Sequence, residues 1–205
     1  MTSEMKITIS EFYSNSNVKD CPEEKRPEYA FIGRSNVGKS SLINMILNKK
    51  IAYTSSKPGK TQLINHILIN DSWCLVDLPG YGYAKISKIK RAQIKKMTKN
   101  YFIKRGLQLA TVFVLLDIRI PTQQIDLDWM EWLVKNNIYF IRVFTKCDNM
   151  KKEQVLKTIQ KYDANMNKNH WATIPESIVT SSTKMIGKND ILKNIQKIND
   201  LFNNT

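Results

Sequence analysis

Cysteine is scarce in this chain. Cys21, Cys74 and Cys147 are odd in number and scattered, and they form neither a CxxC pair nor a Cys/His ligand pattern. This excludes a disulfide scaffold and a cysteine-held metal, and it leaves reduced thiols of a cytosolic protein. Long apolar runs are also missing. The longest, around Val112 to Leu116, suits one buried strand and is far too short to span a bilayer. The opening residues, MTSEMKITISEF, have no apolar core and no cleavage signature, so they do not read as a signal peptide. Acidic charge is in deficit, with 18 Asp and Glu against 32 Lys and Arg, for a formal charge of +14. That imbalance points to a polyanionic partner. It also fits a chain rich in Lys, Asn and Ile throughout, in which Lys keeps the protein soluble. The hydrophobic fraction, 42% of 205 residues, suffices for the core of one α/β domain without staples.

The pattern along the chain supports a single domain, with no repeat, low-complexity linker or second boundary. Residues 1–28 read as an N-terminal strand or extended arm (Ile7, Ile9) plus a charged loop between Pro22 and Pro27, packed on a main domain over 29–205. Buried strands are expected at 29–32, 110–116 and 138–144, a hairpin at 62–69 and 73–76, and a short strand at 177–179. Helical spacing marks 39–47, 85–105, 124–134, 151–162 and 189–202. In 85–105 the inward positions read as Ile86, Ile89, Ile94, Met97 and Tyr101. Strands alternating with helices imply a three-layer α/β/α fold around a mixed, mainly parallel sheet of six strands.

The strongest motif is Gly33-Arg34-Ser35-Asn36-Val37-Gly38-Lys39-Ser40, of the form G-x-x-x-x-G-K-[ST] between an expected strand and helix. Glycines let the backbone bend and approach phosphates, successive N–H groups form an anion nest, and the helix adds its positive end. Lys39 would reach the β- and γ-phosphates, and the Ser40 hydroxyl would ligate Mg²⁺. Asp77-Leu78-Pro79-Gly80 follows the strand at 73–76. Its carboxylate suits water-mediated Mg²⁺ binding, and the Gly80 N–H suits sensing of a γ-phosphate, although such a tetrapeptide is often a plain turn. Thr61 lies in the polar loop between these motifs, where its hydroxyl either completes the Mg²⁺ shell or is simply a turn residue. Thr145-Lys146-Cys147-Asp148 follows the strand at 138–144. Asp148 can accept two hydrogen bonds from a guanine edge that adenine lacks, and the Lys146 stem can cover the base. Thr145 stands where Asn is usual, and its hydroxyl replaces part of that bracing. Thr180-Ser181-Ser182 follows the last strand, where backbone N–H groups could reach guanine O6.

Taken together, GRSNVGKSSLIN at 33–44, KPGKTQ at 57–62, DLPGYGYA at 77–84, TKCD at 145–148 and TSS at 180–182 resemble the EngB (YihA/YsxC-type) GTPases of the TrmE-Era-EngA-EngB-Septin-like class. The resemblance runs over roughly residues 8–202. It implies a P-loop G domain that binds GTP and GDP with Mg²⁺ and hydrolyses GTP. It further implies cytoplasmic association with the large ribosomal subunit during assembly, and a link to cell division and septation. An alternative is a GTP-gated interaction protein for cell division in which turnover is incidental. By this match Ser40, Thr61 and Asp77 are the Mg²⁺ positions, Ser41 extends the phosphate loop, and Gly59, Lys60, Thr61, Gln62 and Leu63 form the first switch. Lys39, Thr61 and Gly80 are the residues expected nearest the chemistry. Cys147 replaces a small residue whose side chain points away from the base.

Many GTPases place a water-orienting Gln directly after DxxG. Here it is Tyr81, so slow hydrolysis or outside help is expected. Arg34 is expected to point away from the γ-phosphate. Asn36 either holds a K⁺ ion beside the phosphates, supplying a finger's charge, or merely tolerates a tight turn. Finally, Lys85, Lys88, Lys90, Arg91, Lys95, Lys96, Lys99, Lys104 and Arg105 crowd one helix without an acidic residue. They read either as a contact to rRNA phosphates or as a solvated face.

Overall fold

The computed structural model describes residues 6–23, 26–52, 63–82, 86–168 and 171–203. Seven strands form one sheet: β1 Ile9–Asn15, β2 Glu28–Gly33, β3 Ile64–Ile69, β4 Trp73–Asp77, β5 Leu109–Asp117, β6 Phe140–Thr145 and β7 Ser177–Val179. Their order is β1-β3-β4-β2-β5-β6-β7. From β4 to β7 neighbours run parallel, while β3 is antiparallel to both β4 and β1. The expected count of six is corrected here. The N-terminal arm adds a seventh strand, because its backbone pairs from Ile9 to Asn15 along the exposed edge of β3. Its mostly exposed side chains left it open in the sequence as a strand or an extended arm, since an edge strand is held by ladder bonds rather than by a buried apolar run.

The helices are α1 Lys39–Leu47, α2 Lys88–Arg105, α3 Gln124–Lys135, α4 Lys152–Lys168 and α5 Lys188–Asn203. Alternation along the central strand β2 assigns them to faces. Tyr29 and Phe31 join Phe113, Leu115 and the apolar sides of α1 and α5. Ala30 and Ile32 join Val112, Val114 and side chains from α2, α3 and α4. Every residue of β2 is buried, as a central strand covered on both faces requires.

Helix α2 departs from its expected inward stripe. It starts at Lys88, capped by the Ser87 hydroxyl, and buries Ile94, Thr98, Tyr101, Phe102 and Arg105. Ile89 is 74% exposed, because five residues before Ile94 it lies about 140° around the helix from the buried stripe. Arg105 is likewise corrected from the basic face to the interior. Its guanidinium binds the buried Glu28 carboxylate through Nε, at 2.9 Å, and through Nη2, and it donates to the Pro22 carbonyl at 2.6 Å. Tyr101 donates to the same carboxylate at 2.5 Å, and His66 Nε2 lies 3.3 Å from it. A single acidic residue at the start of β2 thus ties α2 and β3 to the sheet. Lys85 lies outside the described residues.

Candidate functional site

The C-terminal ends of the parallel strands gather the predicted residues along one edge of the sheet, the usual location of ligands in open α/β folds. β2 runs into the loop from Gly33 to Ser40. Gly33 has no room for a side chain, since a Cβ would come within 2.9 Å of both the Leu115 Cβ and the Val37 Cγ1. Gly38 caps α1 at φ 103°, a left-handed value that only glycine adopts without strain. The amides of Gly38, Lys39, Ser40 and Ser41 have no backbone acceptor among the described residues. They are the four unsatisfied donors of a helix N-terminus, arranged to receive an anion.

β4 delivers Asp77 beside this loop, in register with Phe31 of β2. The Lys39 ammonium pairs with the Asp77 carboxylate. Leu78 and Pro79 then carry the chain back across the sheet end, where Leu78 N–H donates to the Phe31 carbonyl at 3.2 Å. Past Gly80 the chain pairs directly with the phosphate loop. Tyr81 N–H donates to the Gly33 carbonyl at 3.1 Å and Ser35 N–H to the Tyr81 carbonyl at 3.0 Å. Arg34 reaches α3, with Nε 3.3 Å from Asp126, so it leaves the loop's concave side as expected.

β6 delivers the second loop. The Thr145 hydroxyl donates to the Val37 carbonyl at 2.6 Å, with the Leu116 carbonyl also at 3.2 Å, so it braces the first loop from behind. Lys146, at φ 64°, donates from Nζ to the Asn36 carbonyl at 2.7 Å and to Asp117 Oδ2 at 2.9 Å. The loop of residues 145–148 and the loop of residues 33–40 are therefore one structure, although 110 residues separate Lys146 from Asn36. Cys147 is buried, with its N–H on the Thr180 carbonyl at 3.2 Å. Asp148 Oδ1 accepts from the Ser181 hydroxyl at 2.5 Å, which holds this carboxyl below its ordinary range and ionised.

The last loop divides. Thr180 N–H is spent on the Phe144 carbonyl at 2.7 Å and Ser181 N–H on the Ile186 carbonyl at 3.1 Å. Of the three amides expected near a guanine oxygen, the Ser182 N–H alone carries no hydrogen bond among the described residues. Leu63 is exposed just ahead of β3. Gly59, Lys60, Thr61 and Gln62 lie outside the described residues.

Two participants went unread in the sequence. Asp117 ends β5 between the two loops, gripped by Arg119 at 2.7 and 2.9 Å and by Lys146. Burial pushes its carboxyl up, but these cations and the Arg119 N–H outweigh that and hold it at about 2. Asp126 on α3 binds both Arg34 and the Tyr81 hydroxyl. An acidic residue directly after a buried strand was the available signal for the first. The second had none, because only the fold brings α3 to the phosphate loop.

A sheet of this order, with an anion loop after its central strand and a lysine-aspartate loop from a distant strand locked onto it, defines the class: the G domain of a P-loop GTPase. A family model described as 50S ribosome-binding GTPase matches residues 28–146. The probable GTP-binding protein EngB of Flavobacterium johnsoniae is 51% identical over 203 residues, covering 98% of this chain and 96% of that protein. The protein of the same name from Bacteroides fragilis is 48% identical over 201 residues, covering 97% and 99%. The chain belongs to the EngB family of P-loop GTPases, which bind and hydrolyse GTP. Among solved structures, a probable GTP-binding protein engB superposes with a TM-score of 0.63 at 24% identity, covering 84% of this chain and 98% of that one. An Aquifex aeolicus Era variant bound to GDP and aluminium fluoride gives 0.67 at 22% identity, covering 85% and 57%. These two share the fold.

Proposed function

We propose that the protein is a nucleotide-dependent switch in assembly of the large ribosomal subunit, acting in the cytoplasm, with slow intrinsic hydrolysis and a link to cell division and septation. The observation that carries the site assignment is the Lys146 to Asn36 hydrogen bond, 2.7 Å across 110 residues. That bond joins the loop that carries Asp148 to the phosphate loop, which supports reading the two as parts of one nucleotide site. In this reading the amides of residues 33–41 cradle the phosphates and Lys39 leaves Asp77 for the β- and γ-oxygens. Gly80 and residues 59–63 respond to the γ-phosphate. Lys146 covers the purine face, Asp148 accepts from its N1–H and N2 amino groups, and Ser182 reaches its O6. The arm of residues 1–28 belongs to the same domain.

Ser40, Asp77 and Thr61 would hold Mg²⁺. The fit rests on the donor set: Ser40 and Asp77 offer oxygen only, and Asp77 already accepts a cation. No cluster of three or more His, Cys, Asp or Glu among the described residues makes an all-protein cage. That suits an ion that keeps waters and substrate phosphates as ligands. When bound, it neutralises charge on the phosphate oxygens.

The exposed lysines and Arg91 of α2, next to the second switch, are proposed to face rRNA. The description of the matching family model names the 50S subunit, which favours this partner over a septation protein. No described helix is long and apolar enough to cross a membrane. The test is sedimentation with large ribosomal subunits. Co-migration in a non-hydrolysable GTP analogue but not in GDP is expected. Equal migration in both rejects the switch, and a division protein captured in GTP without ribosomes would favour the alternative.

A further inference from the structure

The basic residues of α2 do not form a convex ridge alone. Three of them belong to one wall of a groove of about 610 Å³ whose other wall is the 3-10 turn Val18–Asp20 of the N-terminal arm. Lys90, Lys96 and Lys104 line it from α2, and Lys19 faces them from the arm. None of the four has an ion-pair partner among the described residues. Asp20 is the one acid among the described lining residues, and it accepts from the Asn17 side chain at 3.2 Å. Val18 and Met97, both half-buried, also line the groove and pack against the core. From Lys90 to Lys104 the helix covers fifteen residues, or fourteen steps, roughly 21 Å at 1.5 Å per residue.

We infer that this groove binds a single strand of RNA by its sugar-phosphate backbone, with the arm supplying a contact that α2 cannot make alone. The inference rests on the ribosomal reading above and names the form of RNA and the second wall. Four cations without ion-pair partners among the described residues line one groove, which suits a run of phosphates. The side-chain amides of Gln93 and Asn100, also in the lining, both donate and accept, as ribose 2′-hydroxyls do. An acidic peptide would use the lysines and leave those amides idle. A duplex would present a convex surface read across its wide minor groove, whereas a recess between two walls admits one strand. Among the described residues no aromatic side chain lines the groove, so the contact expected is to the backbone, with weak sequence preference.

The test measures binding of the full chain to fluorescein-labelled twelve-nucleotide single-stranded RNAs of mixed and oligo-U sequence, by anisotropy across a salt series. The triple variant Lys90→Glu, Lys96→Glu, Lys104→Glu is expected to bind about tenfold or more weakly, and its log–log salt slope to fall by roughly two. Lys19→Glu alone should weaken binding by about two- to fourfold. The control triple on α4, Lys152→Glu, Lys157→Glu, Lys161→Glu, changes net charge equally and should retain most of the affinity. Retained GDP binding certifies that each variant is folded. Equal losses from the two triples, no effect of Lys19→Glu, a preference for duplex RNA, or displacement of the RNA by poly-glutamate would each overturn the groove. Wild-type sedimentation with ribosomal subunits runs beside it. If GTP-dependent co-migration persists while the groove variants bind RNA normally, the groove falls and the functional proposal stands. Absent co-migration removes the functional proposal whatever the oligonucleotides do.

Discussion

The Thr145 hydroxyl and the Val37 carbonyl meet at 2.6 Å across 108 residues of chain, inside the protein. Thr145 stands where the related motif usually has Asn, and this bond explains why the replacement works: one short donor reaches the back of the phosphate loop directly. Thr145→Val keeps the shape and deletes the donor, leaving a buried carbonyl unmatched at a cost of about 1–3 kcal/mol. Part of that loosens the loop. GDP affinity should fall by about tenfold, since 1.4 kcal/mol is a factor of ten. A fluorescence titration with labelled GDP checks this, and an unchanged dissociation constant would show that the brace is idle.

Asp148 is exposed, and the Ser181 hydroxyl holds its carboxyl below the ordinary range. Its carboxyl lies below the ordinary range, so guanine binding should hold steady as pH falls to that range and fail only beneath it. In Ser181→Ala the carboxyl returns toward its ordinary value, and the acid-side loss of affinity should begin at higher pH. Asp148→Asn should shift preference from GTP towards xanthosine triphosphate. Competition between the two nucleotides decides the matter, and retained guanine selectivity in that variant would refute the base-site assignment.

The site was more legible than its surroundings, for a physical reason. Phosphate and base recognition demand particular residues at short spacings, so Gly33 to Ser40, Asp77 and Asp148 announce themselves locally. Asp126 and Glu28 do not, because their partners are Arg34, Tyr81, Arg105, Tyr101 and His66, on elements that only the fold brings near. The same limit misplaced Arg105, which reads as one more surface cation until a buried carboxylate is found beneath it. Ile89 failed by a different route: five residues before Ile94, it lies on the far side of the helix from the stripe of Ile94, Thr98 and Tyr101.

Glu28 is buried among Arg105, Tyr101 and His66. Burial pushes its carboxyl up, but His66 and Arg105 more than offset this, and the group ends below its ordinary value. A depressed carboxyl stabilises the fold above the unfolded value and loses that contribution as pH falls through the folded one. Wild-type melting temperature should therefore fall on acidification below the usual glutamate range, and Glu28→Gln should flatten that dependence while lowering stability at neutral pH. Arg105→Met, which strands the carboxylate, should cost about 3–5 kcal/mol in urea unfolding. A loss under 1 kcal/mol would mean the cluster is not coupled as drawn.

Asn36 sits at φ 64° in the phosphate loop, exposed, with its carbonyl taken by Lys146 and its side chain free of hydrogen bonds among the described residues. If that amide helps hold K⁺ beside the phosphates, GTP turnover with ribosomal subunits present should be faster in K⁺ than in Na⁺ at equal ionic strength. Asn36→Ala should erase the difference. Equal rates in the two salts would leave Asn36 as a turn residue only.

Tyr81 follows directly on Gly80, where a catalytic Gln is common, and the structure fixes what this side chain can do. Its backbone is pinned to the phosphate loop on both sides through Gly33 and Ser35. The ring is thereby turned onto α3, stacked on Trp129 at 5.5 Å between centroids, and its hydroxyl donates to Asp126 at 2.8 Å. A side chain launched from this position reaches α3, not the γ-phosphate. Tyr81→Gln should therefore not accelerate single-turnover hydrolysis, and loss of the buried ring should cost about 3 kcal/mol of stability. Tyr81→Phe keeps the stack and removes one donor from Asp126, a carboxyl that burial holds above its usual range despite Tyr81 and Arg34. It should cost only about 1 kcal/mol and leave the hydrolysis rate unchanged. Rapid-quench measurement of phosphate release settles the point: a faster rate in Tyr81→Gln would mean that this position does address the attacking water, and that the pairing with Asp126 gives way in the GTP state.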